Sequence, residues 1–218
     1  MIEKTMDPST SERTRQRLLL AASEVFATNG FKSSTVREIV TKAGVNIAAV
    51  NYHFRDKATL HSEVLKFALG TVLKKYPPDM GVSANSSPEE KLHAFVLSFF
   101  LRVLDQSPGA WHGQLMAREM ADPTAALDGL VDYVLRPLGD YLNSVLRGLL
   151  GPSASPAVIS ACAASVVGQI LFYRHCQPVI AKLNPGLTYR REDLERLARH
   201  VYEFSLAGVR ALAAEAHR

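Results

Sequence analysis

Apolar residues recur at helical spacing along most of the chain, and no segment alternates strictly enough for a strand. Ser9-x-x-Glu12 reads as a capping box. Behind it Leu18, Ala22, Val25 and Phe26 share one face, and Asn29-Gly30 ends the predicted helix. A second box, Thr35-x-x-Glu38, opens a short helix with Val36, Ile39, Val40 and Ala43 on one side. Gly44 then stands where a left-handed residue is needed. Asn46 can cap a third helix, with Val45 and Val50 at staple positions, and Asp56 a fourth that stops before Pro77-Pro78. Ser87-Pro88-Glu89-Glu90 starts a fifth carrying Leu92, Phe95, Val96, Phe99 and Val103. Trp111 to Met120 reads as a sixth. A seventh runs from Asp122-Pro123 to Gly151-Pro152 and should kink at Pro137. The eighth starts at Ser155-Pro156, with Pro178 bending or ending it, and the ninth spans about Arg191 to Ala214. The expectation is an all-α chain of about nine helices: a three-helix N-terminal domain over 1–55 and a helical domain over 56–218.

Residues 11–55 carry the most information. Two short helices flank a Gly-Val-Asn turn, with an apolar helix before them, which is the pattern of a helix-turn-helix. Ala48 and Ala49 keep the second helix slim where it would approach DNA, and Asn46, Asn51, Tyr52 and His53 supply polar tips. The same glycine turn would also serve an ordinary helical hairpin. Charge supports a polyanionic partner only weakly. Residues 1–60 hold nine lysines and arginines against six acids, and the other 158 hold sixteen against fifteen.

Phe31, Thr35-Val36-Arg37-Glu38-Ile39, Ala43-Gly44-Val45, Asn51-Tyr52-His53-Phe54 and Lys57-x-x-Leu60 resemble the N-terminal domain of TetR-family transcriptional regulators over about residues 11–60. The resemblance implies a dimeric repressor on a palindromic double-stranded operator, released by a small-molecule effector. It makes Thr35 and Lys57 phosphate contacts, Arg37 a guanine reader, and Asn46, Ile47, Ala48, Asn51, Tyr52 and His53 the recognition surface. Many members have Ser-Lys-Gly-Thr where this chain has Asn46-Ile47-Ala48-Ala49. Farther on, Ala117-Arg118-Glu119-Met120-x-x-Pro123-Thr124 and Val167-Gly168-Gln169-x-x-x-Tyr173-Arg174-His175-x-x-Pro178 resemble the CecR-like subgroup.

Phe99, Trp111, Met116 and Tyr133, with the polar Arg102, Arg174 and His175, are the candidate effector contacts, although an aromatic and methionine stripe more often forms core. Arg118 or Arg174 can meet an anionic ligand or simply pair with an acid. His93 and His112 are assigned to the surface or a rim. Small residues on the last two long helices, Ala161, Ala163, Ala164, Ser165 and Gly168 with Ser205, Ala207, Gly208 and Ala211, suggest a dimer through helices around 156–177 and 191–213; packing within one chain is the alternative. The uncharged stretch from Gly148 to Tyr173 is broken by glycine, proline and serine, so a buried helix is expected rather than a membrane span.

No catalytic or metal-binding motif is present, so neither an enzyme nor a cofactor is expected. Two cysteines, Cys162 and Cys176, make no disulfide framework and suit a reducing cytoplasm. An architectural DNA binder without an effector is the competing reading.

Overall fold

A computed structural model describes residues 10–107 and 109–215, so the proposed Ser9 cap lies outside the described residues. The described part is helical, with no strand. Its elements are α1 (Thr10–Ser33), α2 (Val36–Ala43), α3 (Ala48–Phe54), α4 (Lys57–Lys75), α5 (Pro88–Val103), α6 (His112–Ala121), α7 (Ala126–Leu130), α8 (Arg136–Leu150), α9 (Pro156–His175), α10 (Gln177–Leu183) and α11 (Arg191–Glu215).

Most start signals work as expected. Thr35 and Ser87 each accept from the N–H three residues on, and Glu38 and Glu90 reach back, completing both capping boxes. Asp56 Oδ1 accepts from Thr59 N at 2.7 Å, which holds its carboxyl below the usual range. Gly44 adopts φ 62°, ψ 42° and returns N–H bonds to Val40 and Thr41.

Two expected helices are divided. The seventh becomes α7, a π-helical turn over Val131–Leu135, and α8, with Pro137 in the first turn of α8. Proline lacks the N–H that the carbonyl four residues earlier would accept, and the wider turn ahead of it absorbs the mismatch. The eighth divides at Cys176 (φ −98°, ψ 15°), because Pro178 must sit at the start of a new helix, α10. Gly30 does not end α1. It breaks it, with φ 80° and ψ 166°, and a last turn follows.

The chain forms two compact units. The first comprises, of the described residues, 10–71 together with 109–131. Leu18, Ala22, Phe26, Ile39, Val50, Phe54, Leu60 and Val64 are its buried centre, and α1 packs on α2, α3 and α6. The second comprises 72–107 and 132–218, where α5, α8, α9 and α11 bury Leu92, Phe95, Phe100, Leu146, Val166, Ile170, Ala198 and Val201.

Candidate nucleic-acid interface

Val50 and Phe54, four residues apart, turn into the core of the first unit. The opposite side of α3 therefore faces out, with Ala48 and Asn51 exposed and Tyr52 at 79% exposure. The His53 ring is half-buried and meets Tyr52 edge-on at 4.8 Å. Asn46 Oδ1 accepts from Ala48 N at 2.9 Å, so the predicted cap forms as a side-chain turn, and Ile47 stays exposed beside it. The helix closes on Arg55, whose φ of 69° is left-handed and whose side chain is exposed.

Around α2, Thr35 and Arg37 line one open groove of about 450 Å³ with Val25, Asn29, Glu38, Thr41 and Lys42. The Thr35 hydroxyl serves the cap, donating to Glu38 Oε2 at 3.0 Å and accepting from Glu38 N at 3.2 Å. The Lys57 ammonium lies 4.6 Å above the Phe31 ring. Part of the basic excess at the front is structural. Arg15 pairs with Glu63 and lies over Phe54, Lys42 pairs with Glu24, and Arg17 donates to Gly44 O.

A buried polar centre in the same unit was not legible in the sequence. His61 is 5% exposed and packs against both the Phe26 and Phe31 rings, with its Nε2 3.9 Å from Oε2 of Glu119, which is 2% exposed. Glu119 Oε1 accepts from Thr124 N and Oγ1. Arg118 donates to the carbonyls of Ala27 and Thr28. Burial pushes the His61 pKa down, Glu119 opposes this, and Lys57 adds to it. A lowered folded-state pKa means that this group's stabilisation is complete above 6.5 and is lost as pH falls below it. His61→Gln should therefore flatten the fall of melting temperature between about pH 7 and pH 5. Equal pH slopes in wild type and variant would contradict that assignment.

In the second unit, Arg102 is 5% exposed, donates from Nε to Ser98 O and Oγ, and faces the Phe95 and Phe99 rings at 5.9 and 5.2 Å. Burial lowers its pKa to about 10. Arg174 is half-buried, donates to Gln177 Oε1, and is likewise lowered by burial. His175 is exposed, and so is Tyr133. Trp111 and Met116, both half-buried, belong to the first unit. One histidine expectation fails. His112 is buried on the inner side of α6, whereas His93 is half-buried at a rim, edge-on to Tyr202, as expected.

Helix α9 is long and apolar enough to cross a membrane, with a mean hydropathy of 1.6, yet only 22% of that window is buried. The expected buried helix is thus buried on one side: Ile159, Cys162, Val166 and Ile170 face the core. Ala161, Ala164, Ser165, Gly168 and Phe172 are exposed, as are Phe204, Ala207, Gly208 and Ala211 on α11. Ser205 belongs to the other side of its helix, buried, where it accepts from Gln169 Nε2.

Residues 88–209 match the family model of the C-terminal domain of the HTH-type transcriptional dual regulator CecR, and residues 18–64 match that of bacterial regulatory proteins of the tetR family. The dual regulator CecR of Shigella flexneri is 25% identical over 171 residues, covering 75% of this chain and 76% of that protein. The regulator SrpR of Pseudomonas putida is 31% identical over 118 residues, 49% of this chain and 54% of that one. Among solved structures, a transcriptional regulator from Pseudomonas aeruginosa PAO1 superposes with a TM-score of 0.68 at 22% identity, covering 96% of this chain and 98% of that one. The Bacillus subtilis regulator FadR, in complex with stearoyl-CoA, gives 0.66 at 18% identity, covering 88% and 98%. These last two likenesses show the fold.

Proposed function

Because the chain belongs to the TetR family of bacterial transcriptional regulators, with a CecR-type C-terminal domain, we propose that it is a homodimeric repressor released from a palindromic operator by a small, mostly apolar effector. The family makes it a DNA-binding regulator and not an enzyme. The observation that carries the reading is the outer face of α3, where Asn51 and Tyr52 are exposed to solvent just after the tight Gly44 turn. The proposed workplace is the cytoplasm.

A two-fold dimer presents two α3 helices, which must stand about 34–36 Å apart to enter successive major grooves. An effector that binds better to a different separation shifts the population away from DNA by its differential affinity. The exposed small-residue faces of α9 and α11 support assembly of two copies there. The aromatic surroundings of Arg102 support an effector with an apolar body and one anionic or hydrogen-bonding group. The FadR structure holds stearoyl-CoA, whose acyl chain is an apolar body of that kind but whose CoA part is far more polar and more highly charged.

The test is a gel shift on the DNA upstream of the protein's own gene at physiological salt, repeated with long-chain acyl-CoAs, free fatty acids and aromatic drugs. Selective binding abolished by one of these supports the repressor. Equal binding to any DNA, insensitive to all of them, selects an architectural protein. In the same assay Arg37→Ala and Asn51→Ala should each weaken operator binding by about 1–3 kcal/mol. Lys57→Ala should weaken all DNA sequences alike and lower the salt slope by about one. Unchanged affinity in all three variants would remove these residues from the interface.

A further inference from the structure

The last carbonyls of a helix lack regular partners four residues on, and they carry the negative end of the helix dipole. Helix α1 runs straight to Gly30, where φ 80° and ψ 166° interrupt it, so Ala27 and Thr28 lie in the last turn of its straight part. Arg118, on α6, serves both. Its Nε donates to Ala27 O at 2.7 Å and its Nη2 to Thr28 O at 2.5 Å. The same guanidinium fills the space beside the break: a Cβ on Gly30 would stand 3.2 Å from Arg118 Nη1.

Two further contacts keep α6 in place. Asp122, just past the end of α6, pairs at 2.7 Å with Lys32, on the far side of the break. Glu119 faces His61 of α4 and is itself held by Thr124. One short stretch, 118–122, thus grips the chain before and after Gly30. Beyond the break, Ser34 Oγ donates to Gly30 O at 2.6 Å, and Thr35 at once caps α2. The direction in which the chain leaves Gly30 is the direction from which the helix-turn-helix starts.

We propose that Arg118 is a positioning residue for DNA recognition: by bridging the break in α1 it holds the angle at which α2 and α3 are presented, and it does so without contacting DNA. The proposal rests on the DNA-binding reading above. It assigns to the guanidinium a geometric task in place of a ligand contact.

The experiment compares full-length wild type with Arg118→Ala, Arg118→Lys and Arg118→Gln. The readouts are affinity for the operator, affinity for random DNA, the salt slope of each, and hydrogen exchange of the amides of residues 31–36. Arg118→Ala should lose about tenfold or more on the operator, because without the bridge the angle of α2 and α3 is no longer held and must be fixed on binding. Affinity for random DNA and the salt slope should hold, because no phosphate contact is removed. Exchange over 31–36 should speed up. Lysine should restore part of the operator affinity, as a single point donor that cannot span both carbonyls. Arg118→Ala within about twofold of wild type on the operator would overturn the proposal. So would an equal loss on both DNAs with a shallower slope, which would make Arg118 a phosphate contact. If Arg118→Ala does not fold, Arg118→Gln decides by the same criteria. A wild type that selects no operator defeats the DNA-binding reading instead, and the exchange rates over 31–36 then still report whether Arg118 holds the break.

Discussion

Gly168→Leu should convert the protein to monomers that keep their fold and nearly lose the operator. An ideal Cβ at Gly168 meets no neighbouring element within 4 Å in the single chain, so the position is open on that side. Gly208, on α11, is equally open. The apolar side of α9 left uncovered by its own chain includes Gly168, Ala161, Ala164 and Phe172, and a second copy packed there would meet the new side chain directly. Overpacking of that kind costs about 1–3 kcal/mol at each position, and a two-fold axis applies it twice. A monomer holds one half-site at a time, and losing the link between two half-sites lowers affinity by roughly 10²- to 10⁴-fold. Sedimentation at micromolar concentration and a gel shift on the same preparation read both effects. A variant that stays dimeric moves the interface elsewhere.

Phe26→Ala should be the most damaging single truncation in the DNA-reading unit. The ring is 1% exposed and lies 6.0 Å from the Phe31 ring and 4.9 Å from the His61 ring, across the junction of α1 with α4. Emptying such a site costs about 3–5 kcal/mol, because the lost transfer free energy adds to a cavity that rigid neighbours cannot close. That is a large part of a typical total of about 5–15 kcal/mol. Operator binding should disappear well below the melting temperature of the wild type. Urea denaturation followed by circular dichroism would show it, and a loss below about 1 kcal/mol would mean that the rings repack.

The front of the chain was legible because its signals are local. Thr35 and Glu38, or Asp56 and Thr59, are three residues apart, and the cap that joins them is written in that spacing. Gly44 announces its own left-handed turn. Where the outcome depended on distant packing, the spacing said little. His61 and Glu119 meet from helices far apart in sequence, and neither residue type demands the other. Arg118 could be expected to bind an acid or a ligand; its partners are backbone carbonyls, which leave no mark in the side-chain sequence. His112 reads as polar and is buried. The break at Cys176 was displaced from Pro178 because a proline is accommodated in a helix's first turn and excluded from its middle. The uncharged run of α9 reads the same whether one flank or all of it is covered, and only the folded chain shows which.

The Gly30 break ties two distant positions to one another in an unequal way. The backbone there, at φ 80°, calls for glycine whatever stands at position 118. Arg118, for its part, reaches Ala27 and Thr28 close beside position 30, where a Cβ would stand 3.2 Å from its Nη1. Among descendants of this sequence, therefore, Gly30 can outlive the arginine, while a side chain at position 30 strains the backbone and also displaces the arginine's tip by a few tenths of an ångström. Loss of the glycine is the less tolerated of the two changes, because it meets the backbone as well as the arginine.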